Sequence, residues 1–116
     1  MNTDDPRLFL PLAPAQLHVL VALSAGELHG YAIMQAVEAS SGGVVTIGPA
    51  TLYGTLKRLV DRGLAEEVMR PLGPGEDPRR RYYRLSGLGA RVCAAEADRL
   101  AALADFAHAH LAPRTA

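Results

Sequence analysis

The order of helical and extended segments along this chain of 116 residues leaves room for few folds. Apolar residues recur at helical spacing in three short segments, over 14–24, 30–40 and 49–63. Pro14 and Pro49 suit the first turn of a helix, and glycines end the second and third segments. A run of turn-forming residues over 71–78 then separates two extended segments. The chain closes with a long alanine-rich segment that also has helical spacing.

The two extended segments, 64–70 and 80–85, are expected to pair as a β-hairpin. The β-branched run 44–47 is expected to form another short strand. Three short helices followed by a hairpin are typical of a winged helix-turn-helix, in which the third helix enters the major groove of DNA. We therefore predict a mainly α fold with a small β-hairpin: an N-terminal arm (1–11), a winged helix-turn-helix (12–85), and a C-terminal dimerisation helix and tail (86–116).

The third helix has two distinct faces. Its apolar residues form one stripe that is predicted to be buried: Leu52, Leu56, Leu59 and Val60. Its opposite surface carries the hydroxyl and basic side chains that contact phosphates and bases in DNA complexes: Thr51, Tyr53, Thr55, Lys57, Arg58 and Arg62. An ordinary solvent-exposed face can have the same composition, so the position after two helices carries the argument.

The charge distribution supports a polyanionic partner. The whole chain has 12 basic and 12 acidic residues, yet basic residues outnumber acidic ones by three over 51–84. Three consecutive arginines, Arg79–Arg81, precede Tyr82 and Tyr83. Because neighbouring side chains of a strand point to opposite faces, these arginines cannot all serve one contact. Tyr83 is expected in the core, and Tyr82 fits either role.

The last helix is too long for a small body. At ~1.5 Å per residue its 25 or so residues would extend about 37 Å, so part of its apolar face would lie bare in a monomer. We predict a homodimer; the alternative is a helix folded back on its own subunit. The predicted interface combines the short apolar segment near the N-terminus with this helix: Leu8, Phe9, Leu88, Val92, Leu100, Leu103, Phe106 and Leu111. The first seven residues are expected to be frayed.

Catalysis, cofactor binding and metal binding find no support in the sequence. Cys93 is the single cysteine and is expected to be buried and inert. His108 and His110 point apart on a helix and make a poor metal pair. No phosphate-binding glycine loop or membrane-spanning run is present, and the N-terminus lacks the pattern of a signal peptide, so cytoplasmic location is the expectation.

Four motifs in order resemble the PadR family of transcriptional regulators. They are the segment from His29 to Ile33, the segment from Ala50 to Leu59, the pair Gly63–Leu64, and the segment from Arg81 to Gly89. The resemblance covers roughly residues 12–100. Ser86 stands where the family usually has threonine, which keeps a hydroxyl to cap the last helix, and the tip of the wing is unusually rich in proline and glycine.

The resemblance implies a bacterial-type dimeric repressor that binds a pseudo-palindromic double-stranded operator. Its implied DNA contacts are Thr51, Tyr53, Thr55, Lys57, Arg58, Arg79, Arg80, Arg81 and Tyr82. His29 either meets a phosphate or serves the start of its helix, and Tyr31 is expected in the core. A small apolar or aromatic effector is implied near the dimer interface, with possible lining residues Phe9, Leu17, Val21, Leu103 and Phe106. The alternative function is a winged helix that docks on protein without specific DNA binding.

Overall fold

The computed structural model describes residues 5–69 and 71–111. Its helices are a single 3-10 turn (Pro6–Phe9), α1 (Pro14–Leu23), α2 (Gly30–Ser40), α3 (Pro49–Asp61) and α4 (Gly87–Leu111). Its strands are β1 (Leu28–His29), β2 (Ala65–Glu67) and β3 (Tyr82–Leu85). This is the predicted winged helix-turn-helix with a long C-terminal helix, and helix boundaries lie within one or two residues of the expected ones.

The sheet differs from the predicted hairpin by one strand. β3 lies in the middle and pairs antiparallel with both β1 and β2, and the residues that face each other include His29 with Tyr82 and Glu66 with Arg84. The β-branched run 44–47 is not a strand; it connects α2 to α3 in an irregular conformation, so the prediction there is wrong. The β-propensity of this run is a local property, and it could not show whether a partner strand lies beside the run.

The core lies where α1, α2 and α3 meet the sheet and the first half of α4. Its fully buried side chains come from every one of these helices: Val19, Leu20, Leu23, Ile33, Val37, Leu52, Leu56, Leu59, Leu64 and Val92. Tyr83 is also in the core, as predicted. Val60 is 38% exposed and Tyr31 is 61% exposed, so both core predictions are wrong. Helical spacing shows which side of a helix is apolar, but it does not show how wide a part of that side the rest of the subunit covers.

The N-terminal segment is held against the body from residue 5 onward, which corrects the expectation of a frayed arm for residues 5–7. Asp5 caps the 3-10 turn by accepting from the backbone N–H of Arg7. Phe9 packs against the core, and the guanidinium of Arg62 lies 4.9 Å from its ring centre. The backbone N–H of Leu12 donates to the buried carboxylate of Glu96 on α4 at 2.8 Å. This segment and α4 therefore pack together; residues 1–4 lie outside the described part of the chain.

A tight junction fixes the direction in which α4 leaves the body. Ser86 donates from its hydroxyl to the carbonyl of Gly63 at 2.6 Å and accepts from the backbone N–H of Gly89 at 2.8 Å, which caps α4 as predicted. Gly63 has the left-handed φ of +76° expected at the end of α3. At Gly89, a β-carbon would lie 1.8 Å from the carbonyl oxygen of Leu64, so only glycine allows this approach.

Candidate nucleic-acid interface

The exposed face of α3 carries most of the predicted contact residues. Thr51, Tyr53, Lys57 and Arg58 are all exposed on this helix. Thr55 is not: it is 7% exposed, and its hydroxyl donates to the backbone carbonyl of Thr51 at 2.7 Å. Thr55 is therefore a packing residue of α3, and its prediction as a DNA contact is wrong. The threonine lies one turn after Thr51 but is turned toward the core.

Arg62 also leaves the predicted DNA face. Its guanidinium donates to the side-chain oxygen of Gln16 on α1 at 2.6 Å and stacks over Phe9. Through these contacts Arg62 joins the end of α3 to the N-terminal part of the subunit. The basic side chains left on the predicted DNA face of α3 are thus Lys57 and Arg58.

A surface groove of about 300 Å³ separates α3 from the wing, which comprises β2, β3 and the residues that connect them. It is lined by aromatic and charged side chains, namely Tyr53, Lys57, Val60, Asp61, Glu67, Arg81 and Tyr83. Lys57 pairs with Asp61 at 3.1 Å, and Arg81 lies 3.8 Å from the carboxylate of Glu67. Burial and the nearby Glu67 charge raise the pKa of Tyr83, so its phenol stays neutral. Exposed pairs of this kind are weak and can exchange for phosphate.

The three consecutive arginines of the wing reach three different partners, but strand alternation is not the reason, because Arg79–Arg81 precede β3. The prediction of a strand over 80–85 is therefore wrong for its first two residues. Arg79 pairs with Asp77 at 3.1 Å within the loop, and this hydrogen bond lowers the pKa of Asp77. Arg80 lies 3.3 Å from the Nε2 atom of His29, measured from its Nη1 atom. Arg81 faces Glu67 of β2 on the wing side of the groove. Tyr82 is half-buried, with its ring edge-on to His29.

Two residues that the sequence argument undervalued organise this face. His29 caps α2, since its Nδ1 atom accepts from the backbone N–H of Ala32 at 3.3 Å. At Gly30, a β-carbon would lie 2.4 Å from the hydroxyl oxygen of Tyr53, so Tyr53 packs directly on the start of α2. Gly30 and Tyr53 belong to two of the motifs quoted above, and the spacing of those motifs could have suggested the contact.

The predicted dimer residues fall into three groups. Leu8, Leu103, Phe106 and Leu111 are exposed, at 63%, 57%, 68% and 76%. Phe9, Leu88 and Leu100 are half-buried. Val92 is fully buried in the subunit core, so it cannot face a partner chain and that prediction is wrong. Periodicity places Val92 on the same side of α4 as Phe106, but the body already covers that side at residue 92.

The predicted effector residues are distributed between the body and the free end of α4. Leu17 is half-buried and packs against the core, and Phe9 lies under Arg62. Val21 lines an open groove of about 410 Å³ between α1 and α4, with Ser24, Leu85, Ala90, Cys93, Ala94 and Ala97. Cys93 is 8% exposed, and burial raises the pKa of its thiol, which keeps it protonated and unreactive.

Residues 19–95 match the family model described as "Transcriptional regulator PadR-like family". The chain belongs to the PadR-like family. Over 89 residues it is also 43% identical to an uncharacterised 37.1 kDa protein of a Streptomyces fradiae transposon, TN4556; the match covers 77% of this chain but 24% of that protein.

Solved structures of PadR-like and other winged-helix regulators share the fold. Bacillus subtilis PadR in complex with operator DNA is 24% identical, with a TM-score of 0.58 over 78% of this chain and 48% of that one. The PcaV regulator of Streptomyces coelicolor, solved with its natural ligand, is 29% identical, with a TM-score of 0.65 over 89% of this chain and 65% of that one. Among the residues that the structure describes, no cluster of metal-binding side chains occurs and no helix is long and apolar enough to cross a membrane.

Proposed function

We propose that this PadR-like chain is a homodimeric, sequence-specific DNA-binding regulator that acts as a repressor. α3 enters the major groove, where Lys57 and Arg58 neutralise phosphates or reach guanine edges. The wing lies along the neighbouring backbone. The observation that carries the proposal is the exposed face of α3, which has hydroxyl and basic side chains beside a groove that also holds Arg81. The complex of Bacillus subtilis PadR with operator DNA supports DNA binding by a chain of the same fold.

The second half of α4 supports the dimer. Its buried residues all precede residue 97, whereas Leu103 and Phe106 are exposed on the part that extends beyond the body. A second copy covers such a face and places two α3 helices on one side of the assembly. Each subunit would contribute one reading head, its winged helix-turn-helix domain. Two reading heads about 34 Å apart would enter successive major grooves of a pseudo-palindromic site.

An effector site between the subunits completes the proposal. The groove that Val21 and Cys93 line between α1 and α4 is apolar and open in the single subunit. A partner chain would enclose it, together with Leu103 and Phe106. A small apolar or aromatic molecule bound there favours one spacing of the reading heads and so lowers the affinity for the operator. The ligand-bound PcaV structure supports the idea of a ligand for a regulator of this fold.

The test is binding of the protein to DNA from upstream of its own gene, followed by fluorescence anisotropy at about 50 and about 200 mM salt. We expect tight binding that prefers this DNA to a scrambled duplex and weakens steeply with salt. Equal, weak binding to both duplexes across the neighbouring genomic region would contradict the proposal and favour a winged helix that docks on protein.

A further inference from the structure

An unusual contact joins the start of α2 to the wing. The Nη1 atom of Arg80 lies 3.3 Å from the Nε2 atom of His29. The same imidazole already accepts, at Nδ1, from the backbone N–H of Ala32. A neutral imidazole has one nitrogen that accepts and one that donates, so Nε2 carries the proton. In the tautomer that caps α2, the two groups at 3.3 Å are both donors.

Arg80 differs in this respect from its neighbours on the wing. Arg79 pairs with Asp77, Arg81 with Glu67 and Arg84 with Glu66. Within the described ranges, no carboxylate lies at ion-pair distance from the guanidinium of Arg80. The carboxylate of Asp77 pairs with Arg79, and the charge of Arg80 acts on it only from farther away. The Nη1 atom of Arg80 lies beside the imidazole instead. Two donors that converge without an acceptor between them need an anion, and an oxyanion with several lone pairs satisfies both.

The surroundings hold this pair of donors in place. His29 is fixed at three points: its backbone lies in β1 opposite Tyr82, its ring meets the Tyr82 ring edge-on at 5.5 Å, and Nδ1 is committed to the cap of α2. Tyr53 brings a hydroxyl to the adjacent Gly30. The start of α2, the exposed face of α3 and the wing therefore converge at one position.

We propose that His29 and Arg80 form a clamp for a single DNA backbone phosphate, which takes one hydrogen bond from Nε2 of His29 and one from the guanidinium of Arg80. This inference rests on the proposed function, because the phosphate belongs to the same duplex that α3 reads. The clamp is independent of sequence: it sets the register of the wing on the backbone while α3 reads the bases.

The test compares the full chain with His29→Asn, Arg80→Gln and the double variant. Asparagine keeps a side-chain acceptor for the α2 cap, but it is too short to place a donor where the Nε2 atom of His29 lies. Arg84→Gln is the control, because it removes the same charge from β3 at a position that pairs with Glu66. The probe is a 40-bp duplex of random sequence, bound at a series of low salt concentrations, since phosphate contacts supply non-specific affinity.

We expect His29→Asn to weaken binding about 10-fold per bound subunit with little change in salt slope, because a neutral hydrogen bond to a charged group is lost. Arg80→Gln weakens binding and lowers the slope by about 0.9 per subunit. The DNA affinity of the double variant falls by less than the product of the two single-variant factors, because one donor alone holds the phosphate poorly. The DNA affinity of Arg84→Gln should stay within about twofold of that of the parent, because this charge is remote from the proposed phosphate.

The outcomes separate the two proposals. If the parent chain binds DNA and both His29→Asn and Arg80→Gln bind as it does, the clamp is wrong and the proposed function stands. If the parent does not bind even random duplex at low salt, both are wrong. Replacing single phosphates of an operator duplex by neutral methylphosphonates gives a readout that requires no change in the protein fold: one position per half-site weakens the parent and leaves the double variant, which lacks both donors, unaffected.

Discussion

Gly30 shows how one missing side chain positions another. The absence of a β-carbon leaves room for the Tyr53 ring over the start of α2. The contact joins two helices of the reading head through a residue that is still 47% exposed. The role of Gly30 is therefore to orient Tyr53 rather than to fill the core.

Gly30→Ala tests this role. The new methyl meets the far end of a flexible side chain, so we expect Tyr53 to rotate away and the free energy of unfolding to change by less than about 1 kcal/mol. DNA affinity should fall about as far as in Tyr53→Ala, and the double variant should bind no more weakly than Tyr53→Ala alone. Urea denaturation and anisotropy measure the two quantities; parent-like affinity in Gly30→Ala would show that the position of Tyr53 is unimportant.

Glu96 is the buried charged side chain of the part of the chain that the structure describes, and it links α4 to the N-terminal segment. The Arg99 side chain and then the backbone N–H of Leu12 hold the pKa of this carboxyl below its usual range, against an opposing effect of burial. A carboxyl whose pKa is lower in the folded state stabilises the fold fully above its unfolded pKa of about 4.3. That stabilisation is lost as the pH falls through the folded pKa.

We expect Glu96→Gln to lower the melting temperature at pH 7 and to flatten its dependence on pH below about 4.5. The amide can still accept from Leu12 but cannot pair as an ion with Arg99. Melting curves between pH 7 and pH 3 measure the effect. Glu38→Gln, at an exposed position of α2, is the control and should follow the parent curve; a Glu96→Gln curve parallel to that of the parent would argue against the buried carboxylate as the titrating group.

At the scale of elements, the junction between α3, β2 and α4 decides how the C-terminal helix projects. Backbone and hydroxyl hydrogen bonds join Ser86 to Gly63 and Leu64, and Gly89 lies against the Leu64 carbonyl. All of these groups belong to the backbone or to one short side chain. The junction therefore has little freedom to adapt.

Gly89→Ala should destabilise the subunit strongly, by about 2 kcal/mol or more, because backbone atoms and not a flexible side chain oppose the new methyl. Gly87→Ala is the matched control on the same helix, where a β-carbon would meet only the Arg91 side chain at 3.7 Å. Urea denaturation of both variants provides the comparison. Equal stability of the two would mean that α4 does not need this close approach.

α3 is the element on which the DNA proposal depends. Lys57→Ala and Arg58→Ala remove exposed cations without touching the core, so we expect unchanged melting and weaker DNA binding. Each phosphate contact that is lost lowers the salt slope by about 0.9. Thr55→Ser, which alters the buried face of the same helix and keeps the hydroxyl, is the control for DNA binding. If neither basic residue affects affinity, α3 is not the recognition helix.

The whole molecule is a compact reading head with a helix that extends beyond it. Its greatest extent is 60 Å, against 24 Å for the smallest. The exposed apolar side chains on the free part of α4 leave an apolar surface that a second copy would cover. Dimerisation and DNA binding would then be linked, because α4 carries the reading head rigidly.

Leu103→Asp should convert the dimer into monomers by placing an unpaired charge in the interface. Ala109→Asp is the control: this position shares a helix face with Asp98 and Asp105, where an acid is already tolerated. Sedimentation velocity gives the oligomeric state, and circular dichroism shows whether α4 stays helical. A dimer that survives Leu103→Asp would place the interface elsewhere.

The sequence by itself determined the elements and their order. Helix periodicity, the capping positions at Gly48 and Ser86, and the turn-forming run between the wing strands are local properties, so they predicted α1 to α4 within a residue or two. They also predicted the two wing strands, which are shorter than expected: β2 ends three residues before residue 70, and β3 begins two residues after residue 80. The core place of Tyr83 followed from strand alternation. The separate partners of the wing arginines did not, because these residues lie in the loop before β3. The exposed basic face of α3 is also a local pattern.

Only the tertiary structure decided which of these side chains are free. Thr55, Arg62 and Val92 were expected at surfaces but contact other parts of the subunit, because whether a helix face is covered depends on elements distant in sequence. β1 is a strand only because β3 lies beside it, and the Val44–Ile47 run is not one because no partner does. The contacts of His29 with Arg80, Gly30 with Tyr53 and Glu96 with Leu12 join residues that are far apart in the chain, and no local pattern specifies such distances.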